Sequence, residues 1–245
     1  MNRNNSFRCL LASLLLLPAL ALAALPAAIP GVRYMSIGDS LAAGYKAQPV
    51  TEGFAYQLYL KNVFGERPDT VFSNSAVPAA SSSDVAHFQI PQVPLFQPTV
   101  VTISVGGNDL LYLLTLPDPT PAIPVVLGEF AANLGGILTQ LCMQMPMYGQ
   151  IYLNNLYVVP QIPGTDQVVP LFNDVMTNVV ANVRMMNVCA DKTIAIADVY
   201  SAFLGQEGLL LIERYQKKGI DYVEVHPTNK GYRAIENAYL SVIEQ

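Results

Sequence analysis

The stretch Thr99–Asp109 reads TVVTISVGGND. Its first seven residues, Thr99–Val105, are apolar or β-branched at nearly every position. A strand with one wet face alternates apolar and polar residues. A run without alternation suits a strand covered on both faces, as in a parallel sheet between helices. The run stops at Gly106 and Gly107, where the missing Cβ atoms let the backbone turn sharply and approach a ligand. Asn108 and Asp109 follow directly, so polar groups stand at the end of a buried strand.

Working outward, Val32–Ile37, Thr70–Asn74, Gln150–Val159 and Thr193–Val199 read as further strands. Between them Phe54–Val63, Ser82–Phe88, Val125–Met143, Pro170–Met186 and Thr228–Ile243 carry helical patterns. In the last, Ile235, Tyr239 and Val242 recur at helical spacing after a Pro-Thr-Asn start. Strand–helix alternation at this spacing predicts an α/β fold, a parallel sheet with helices on both faces. Sites in such sheets lie at the carboxyl ends of the strands.

The chain has 245 residues, enough for one domain with a sizeable core. Only 13% of residues are charged, and the formal net charge is -5. With no basic run, the sequence has no electrostatic footprint for nucleic acid. Arg3 and Arg8 precede a nearly continuous Leu/Ala run from Cys9 to Leu22, and Ala21-Leu22-Ala23 has the form a signal peptidase cleaves. Residues 1–23 are therefore expected to be a leader and residues 24–245 the mature domain, secreted or periplasmic. An uncleaved anchor is the rival reading; Pro18 and Pro26 disfavour an unbroken spanning helix. No stable membrane span is expected after cleavage, and the mature chain is expected to be a monomer. Cys142 and Cys189 remain after cleavage, either as a disulfide or as two separate buried thiols. Metal-ligand spacings are absent, so no cofactor is expected.

The strand ends carry the chemistry. Gly38-Asp39-Ser40-Leu41 follows the first strand, Asn74 to Ala79 the second and Gly106 to Asp109 the third. Taken alone, Asp39 and Ser40 also suit an ordinary helix N-cap. Histidine is scarce: the chain has two. His226 lies in a loop just before the final helix, where it can reach the strand ends. His87 sits three residues after Asp84 inside a helical pattern, which more often means two exposed polar residues on one face. If a serine is activated by histidine, His226 is the expected base.

Gly38-Asp39-Ser40-Leu41, Gly106-Gly107-Asn108-Asp109 and His226-Pro227, in this order, resemble the GDSL, or SGNH, hydrolase family over nearly all of the mature chain. The resemblance implies a three-layer α/β/α, flavodoxin-like fold with five parallel strands in the order 2-1-3-4-5. It also implies serine-dependent hydrolysis of esters, thioesters or acetylated sugars without a metal. Carried over, Ser40 is the nucleophile and His226 the base. The backbone N–H groups of Ser40 and Ala79 and the side-chain amide of Asn108 would then hold the oxyanion. Two departures stand out. Ala76 and Ala79 occupy the glycine positions of the family's second segment; alanine keeps the N–H but costs roughly 1 kcal/mol or more where φ is positive. The family's Asp, three residues before the histidine, is replaced by Val223. Glu224 is the expected orienting acid and Asp221 the alternative.

Leu110–Leu116 and the proline-rich stretch Pro117–Pro124 read either as an apolar wall and rim for an acyl chain or as a core helix and surface loop. The expected substrate is a small-molecule or lipid ester with a short or medium acyl chain. Carbohydrate O-deacetylation and lysophospholipase or thioesterase activity are the alternatives. Val223 and the two alanines also leave open a non-catalytic binding protein on the same fold.

Overall fold

The computed structural model describes residues 31–65, 69–212, 214–217 and 220–243. The expected leader, residues 1–23, lies outside them. Five strands, β1 (Arg33–Gly38), β2 (Val71–Asn74), β3 (Val100–Ser104), β4 (Gln150–Asn154) and β5 (Thr193–Ala197), form one parallel sheet in the order β2-β1-β3-β4-β5. This is the expected flavodoxin-like order. Every residue of β3 is buried, as its unbroken apolar run requires.

Alternate side chains feed two cores. Met35, Ile37, Val101, Ile103, Ile151 and Leu153 point to one face, which is covered by two helices, Ile123–Gln144 and Thr165–Arg184. Tyr34, Val100 and Tyr152 point to the other, which is covered by Phe54–Leu60 (α1) and the C-terminal helix Asn229–Ile243. Phe130, Phe172, Phe54 and Tyr239 are fully buried in these layers. Each such side chain contributes about 1.5–3 kcal/mol relative to an exposed one. From β1 the chain leaves to β2 on one side and returns to β3 on the other. That reversal opens a crevice beyond the carboxyl ends of β1 and β3.

Several boundaries differ from the sequence expectation. The fourth strand stops at Asn154 rather than Val159. Its neighbour β5 ends at Ala197, so later residues have no strand to pair with. The side-chain amide of Asn173 instead accepts from Leu156 N–H at 2.8 Å and donates to Leu156 O at 2.9 Å. The helix expected from Pro170 starts at Thr165, because Thr165, Val168 and Val169 are pulled into the core ahead of the proline. Ser82–Phe88 is not one α-helix: Ser82–Asp84 (α2), capped by a reciprocal Ser81–Asp84 box, passes into a π-helical turn over Val85–Gln89. Numbering onward, α3 is Val93–Phe96, α4 Gly107–Leu114, α5 Ile123–Gln144 and α6 Thr165–Arg184. They are followed by α7 (Val199–Phe203), α8 (Glu207–Leu210) and α9 (Asn229–Ile243). An antiparallel hairpin, β6 (Arg214–Lys217) and β7 (Ile220–Val223), went unread, although Lys218-Gly219 between two short alternating runs is a turn signal.

Cys142, at the end of α5, is bonded to Cys189, with the Cα atoms 5.1 Å apart. The bridge spans 47 positions of sequence. Constraint of the unfolded chain by such a loop contributes about 2–4 kcal/mol. Cys142→Ser with Cys189→Ser is expected to lower the urea midpoint accordingly; an unchanged midpoint would show that the bridge adds nothing.

Candidate active site

Ser40 is set at the sheet edge by its neighbours. Gly38 has φ +126, and a Cβ there would lie 1.9 Å from the carbonyl oxygen of Ser104 on β3, so only glycine fits. Gln89 clamps this residue from the π-helical turn. Its Oε1 accepts from Gly38 N–H at 2.7 Å and its Nε2 donates to Gly38 O at 2.8 Å. Asp39 N–H donates to Ser104 O at 2.9 Å. Asn74 Nδ2, at the end of β2, donates to Ala42 O at 2.9 Å. The turn carrying Ser40 is thus tied to three separate segments.

The loop before α9 brings His226 to Ser40. His226 Nε2 lies 2.8 Å from Ser40 Oγ. His226 Nδ1 contacts Glu224 Oε1. A carboxylate can only accept, so Nδ1 carries the proton and the Nε2 lone pair faces the Ser40 hydroxyl. Burial pushes the Glu224 carboxyl up. The hydrogen bond and charge of His226, with the backbone N–H groups of Val225 and His226, outweigh this and hold it below the ordinary carboxylate range. Tyr157 OH donates to Val225 O at 2.7 Å and steadies the same loop.

Ala79 stands across from this group with φ +70. Among the described residues, neither its backbone N–H nor that of Ser40 has a hydrogen-bond partner. Asn108 Nδ2 donates one hydrogen to Ala80 O at 2.9 Å, leaving a second on the same nitrogen. Asp109 is turned away and binds Ser82 N–H at 2.9 Å and Ser82 Oγ at 2.6 Å. A cavity of about 370 Å³ opens on Ser40, His226, Ala79 and Asn108, with Leu110, Leu111, Leu156, Tyr157, Val159 and Val169 as apolar walls. Both readings of Leu110–Leu116 therefore hold in part. The segment lies mainly in α4, and Leu113 is fully buried, while Leu110 and Leu111 face the cavity. The proline-rich stretch does not line it.

Residues 36–234 match the model of the GDSL-like lipase/acylhydrolase family. The chain belongs to this family. Among solved structures it is similar to an α/β hydrolase enzyme from the metagenome of Lake Arreo, Spain. Identity there is 17% and the TM-score 0.63, over 88% of this chain and 96% of that one. It is also similar to a psychrotrophic esterase from a Pseudoalteromonas species (20% identity, TM-score 0.58, 86% and 97% covered). An acetylxylan esterase from Geobacillus stearothermophilus is a third (17%, 0.63, 88% and 95%). At these identities the likeness speaks for the fold. No curated protein matches the chain.

This GDSL-family chain departs from the family pattern at the acid. Val223 is exposed, whereas Glu224 is buried and reaches the imidazole. Asp221, the alternative, lies in β7 opposite Gln216; its side chain is outside the described residues. His87 is exposed, with Nδ1 2.7 Å from Ser83 O, and Asp84 is engaged in capping Ser81, so that pair is not part of the site. Among the described residues no cluster of three or more His, Cys, Asp or Glu could hold a metal ion.

Asp39, the acid of the GDSL motif itself, has no expected part in catalysis. It is buried, and burial raises its carboxyl to about 7 although Leu41 N–H donates to it at 3.0 Å. A carboxyl raised in the folded state binds its proton there while the unfolded chain has already lost it. Stability from this group therefore falls as pH rises from about 4 to 7. Wild type is expected to lose thermal stability relative to Asp39→Asn across that window. Parallel melting curves would contradict the assignment.

Proposed function

We propose that the chain hydrolyses carboxylic esters of short or medium acyl chain through an acyl-enzyme on Ser40. The observation that carries this is the 2.8 Å approach of His226 Nε2 to Ser40 Oγ at the mouth of an apolar cavity. Ser40 Oγ attacks the acyl carbonyl carbon as its proton passes to His226 Nε2. The developing oxyanion is held by the N–H groups of Ser40 and Ala79 and the second Asn108 amide hydrogen. Each such donor contributes on the order of 10² to 10³ in rate. His226 then protonates the leaving alkoxide. In the second half it takes a proton from the water that attacks the acyl-enzyme, then returns that proton to Ser40 Oγ as the acyl–oxygen bond breaks and the acid leaves. Glu224 keeps the imidazole in the right tautomer and stabilises its cation. No cofactor enters these steps.

The cavity volume falls within the usual range for small-molecule sites, and away from the reacting groups its walls are mainly Leu and Val, with few hydrogen-bonding groups. Each buried methylene is worth about 0.8 kcal/mol, roughly fourfold in kcat/KM. A 4-nitrophenyl ester series is expected to rise about fifteenfold from acetate to butyrate, continue toward octanoate and fall at palmitate. Acetylated xylan and lysophospholipid belong in the same panel. Sugar deacetylation, the activity named for the Geobacillus relative, needs the same polar groups but gains nothing from these walls. A maximum at acetylated xylan or at palmitate would overturn the substrate assignment. The Cys142–Cys189 bridge and the leader-like N-terminus support action outside the cytoplasm.

A further inference from the structure

Moving the acid from three residues before the histidine to two leaves Glu224 with an oxygen that His226 does not use. Glu224 Oε1 takes His226 Nδ1 and the Val225 N–H, the latter at 3.0 Å. Glu224 Oε2 lies 3.4 Å from Lys46 Nζ. Lys46 stands six residues after Ser40, with φ +68, a conformation that lysine rarely adopts. The segment around it is stitched to the histidine side of the site. Tyr232 OH donates to Tyr45 O at 2.6 Å, and the Asn229 amide accepts from Gln48 N–H at 3.1 Å and donates to Gln48 O at 2.7 Å. Lys46 Nζ sits 5.3 Å from the Tyr45 ring centroid, and the Tyr45 ring meets His226 edge-on at 4.8 Å.

We propose that Lys46 is a positioning residue for the reaction: its ammonium holds the second oxygen of Glu224 so that the displaced acid presents the first to His226. The inference rests on the proposed esterase reading. A glutamate has one more rotatable bond than the family's aspartate, and an ion pair on its far oxygen removes that freedom. Lys46 also sets the local charge. Among the described residues, the titratable groups around the Glu224–His226 pair are Lys46, Tyr45, Asp39, Tyr157 and Tyr232. Lys46 is the cation among these, and it opposes formation of the imidazolium.

The test compares wild type, Lys46→Gln, Lys46→Gly and Lys46→Arg on one soluble 4-nitrophenyl ester, reading kcat, KM and the pH profile. Both Gln and Gly variants are expected to lose about tenfold in kcat with KM little changed. The acidic limb of kcat/KM should move up by about 0.5 pH unit as the opposing cation is lost. Lys46→Arg should restore most of the rate. Lys46→Gly relieves the positive φ, so it is expected to melt no lower than wild type while being slower. A purely structural lysine would give the reverse order. In a Glu224→Ala background, Lys46→Gln should have almost no further effect. Wild-type kcat and pH profile in both Gln and Gly variants would overturn the proposal while leaving the esterase reading intact. A wild type that turns over no ester would remove the esterase reading, and the proposal with it.

Discussion

Ser40→Ala and His226→Ala are each expected to lower ester turnover by about 10⁴- to 10⁶-fold, and the double variant should be no worse than either single one. The reason is geometric. Ser40 Oγ and His226 Nε2 share one hydrogen bond of 2.8 Å, so they work as a unit. Without the imidazole the hydroxyl has no base of the right geometry, since His87 is exposed on the outer face of the π-helical turn and does not line the cavity. Without the hydroxyl the imidazole could only activate water. Neither side chain belongs to the two apolar cores, so both variants should keep the wild-type melting temperature to within a few degrees. Additive losses, or a His226→Ala variant retaining a tenth of wild-type kcat, would count against the pair.

The next largest effect is expected at Glu224. Glu224→Ala should cost about 10² to 10⁴ in kcat, because the ring then loses the partner that fixes its tautomer. Asp221→Ala should stay within about twofold. The acid is also visible in stability. Its carboxyl is held below its ordinary value in the fold, so its contribution is present above the unfolded value and is lost as pH falls through the folded one. Melting temperature should therefore drop on the acid side in wild type more than in Glu224→Gln. A crippled Asp221→Ala beside an unaffected Glu224→Ala would reverse the assignment of the acid.

The fold was legible because β3 is an unbroken apolar run, and burial on both faces leaves few alternatives for such a strand. The candidate site was legible where a short motif fixes a side chain to a strand end, as at Ser40 and Asn108. It was harder to read where tertiary contacts decide. Gln89 clamps Gly38 from 51 positions away, and nothing in the local sequence of Gln89 marks it. Asn173 draws the chain after Asn154 out of the sheet in the same long-range manner. Lys46 acquires meaning only when Glu224, far along the chain, arrives beside it. The glycine positions of the family mark Ala76 and Ala79 as places where φ can be positive, which holds at Ala79 and not at Ala76, whereas the positive φ of Lys46 has no such cue.

The most direct test is covalent capture. Wild-type protein treated with a fluorophosphonate, digested and sequenced by mass spectrometry, should carry the phosphonyl group on the peptide containing Gly38–Leu41, at Ser40 and nowhere else. His226→Ala should label far more slowly. Folded wild type that resists the reagent at high concentration, or that is modified at another residue, would contradict a nucleophilic Ser40 and with it the hydrolytic mechanism.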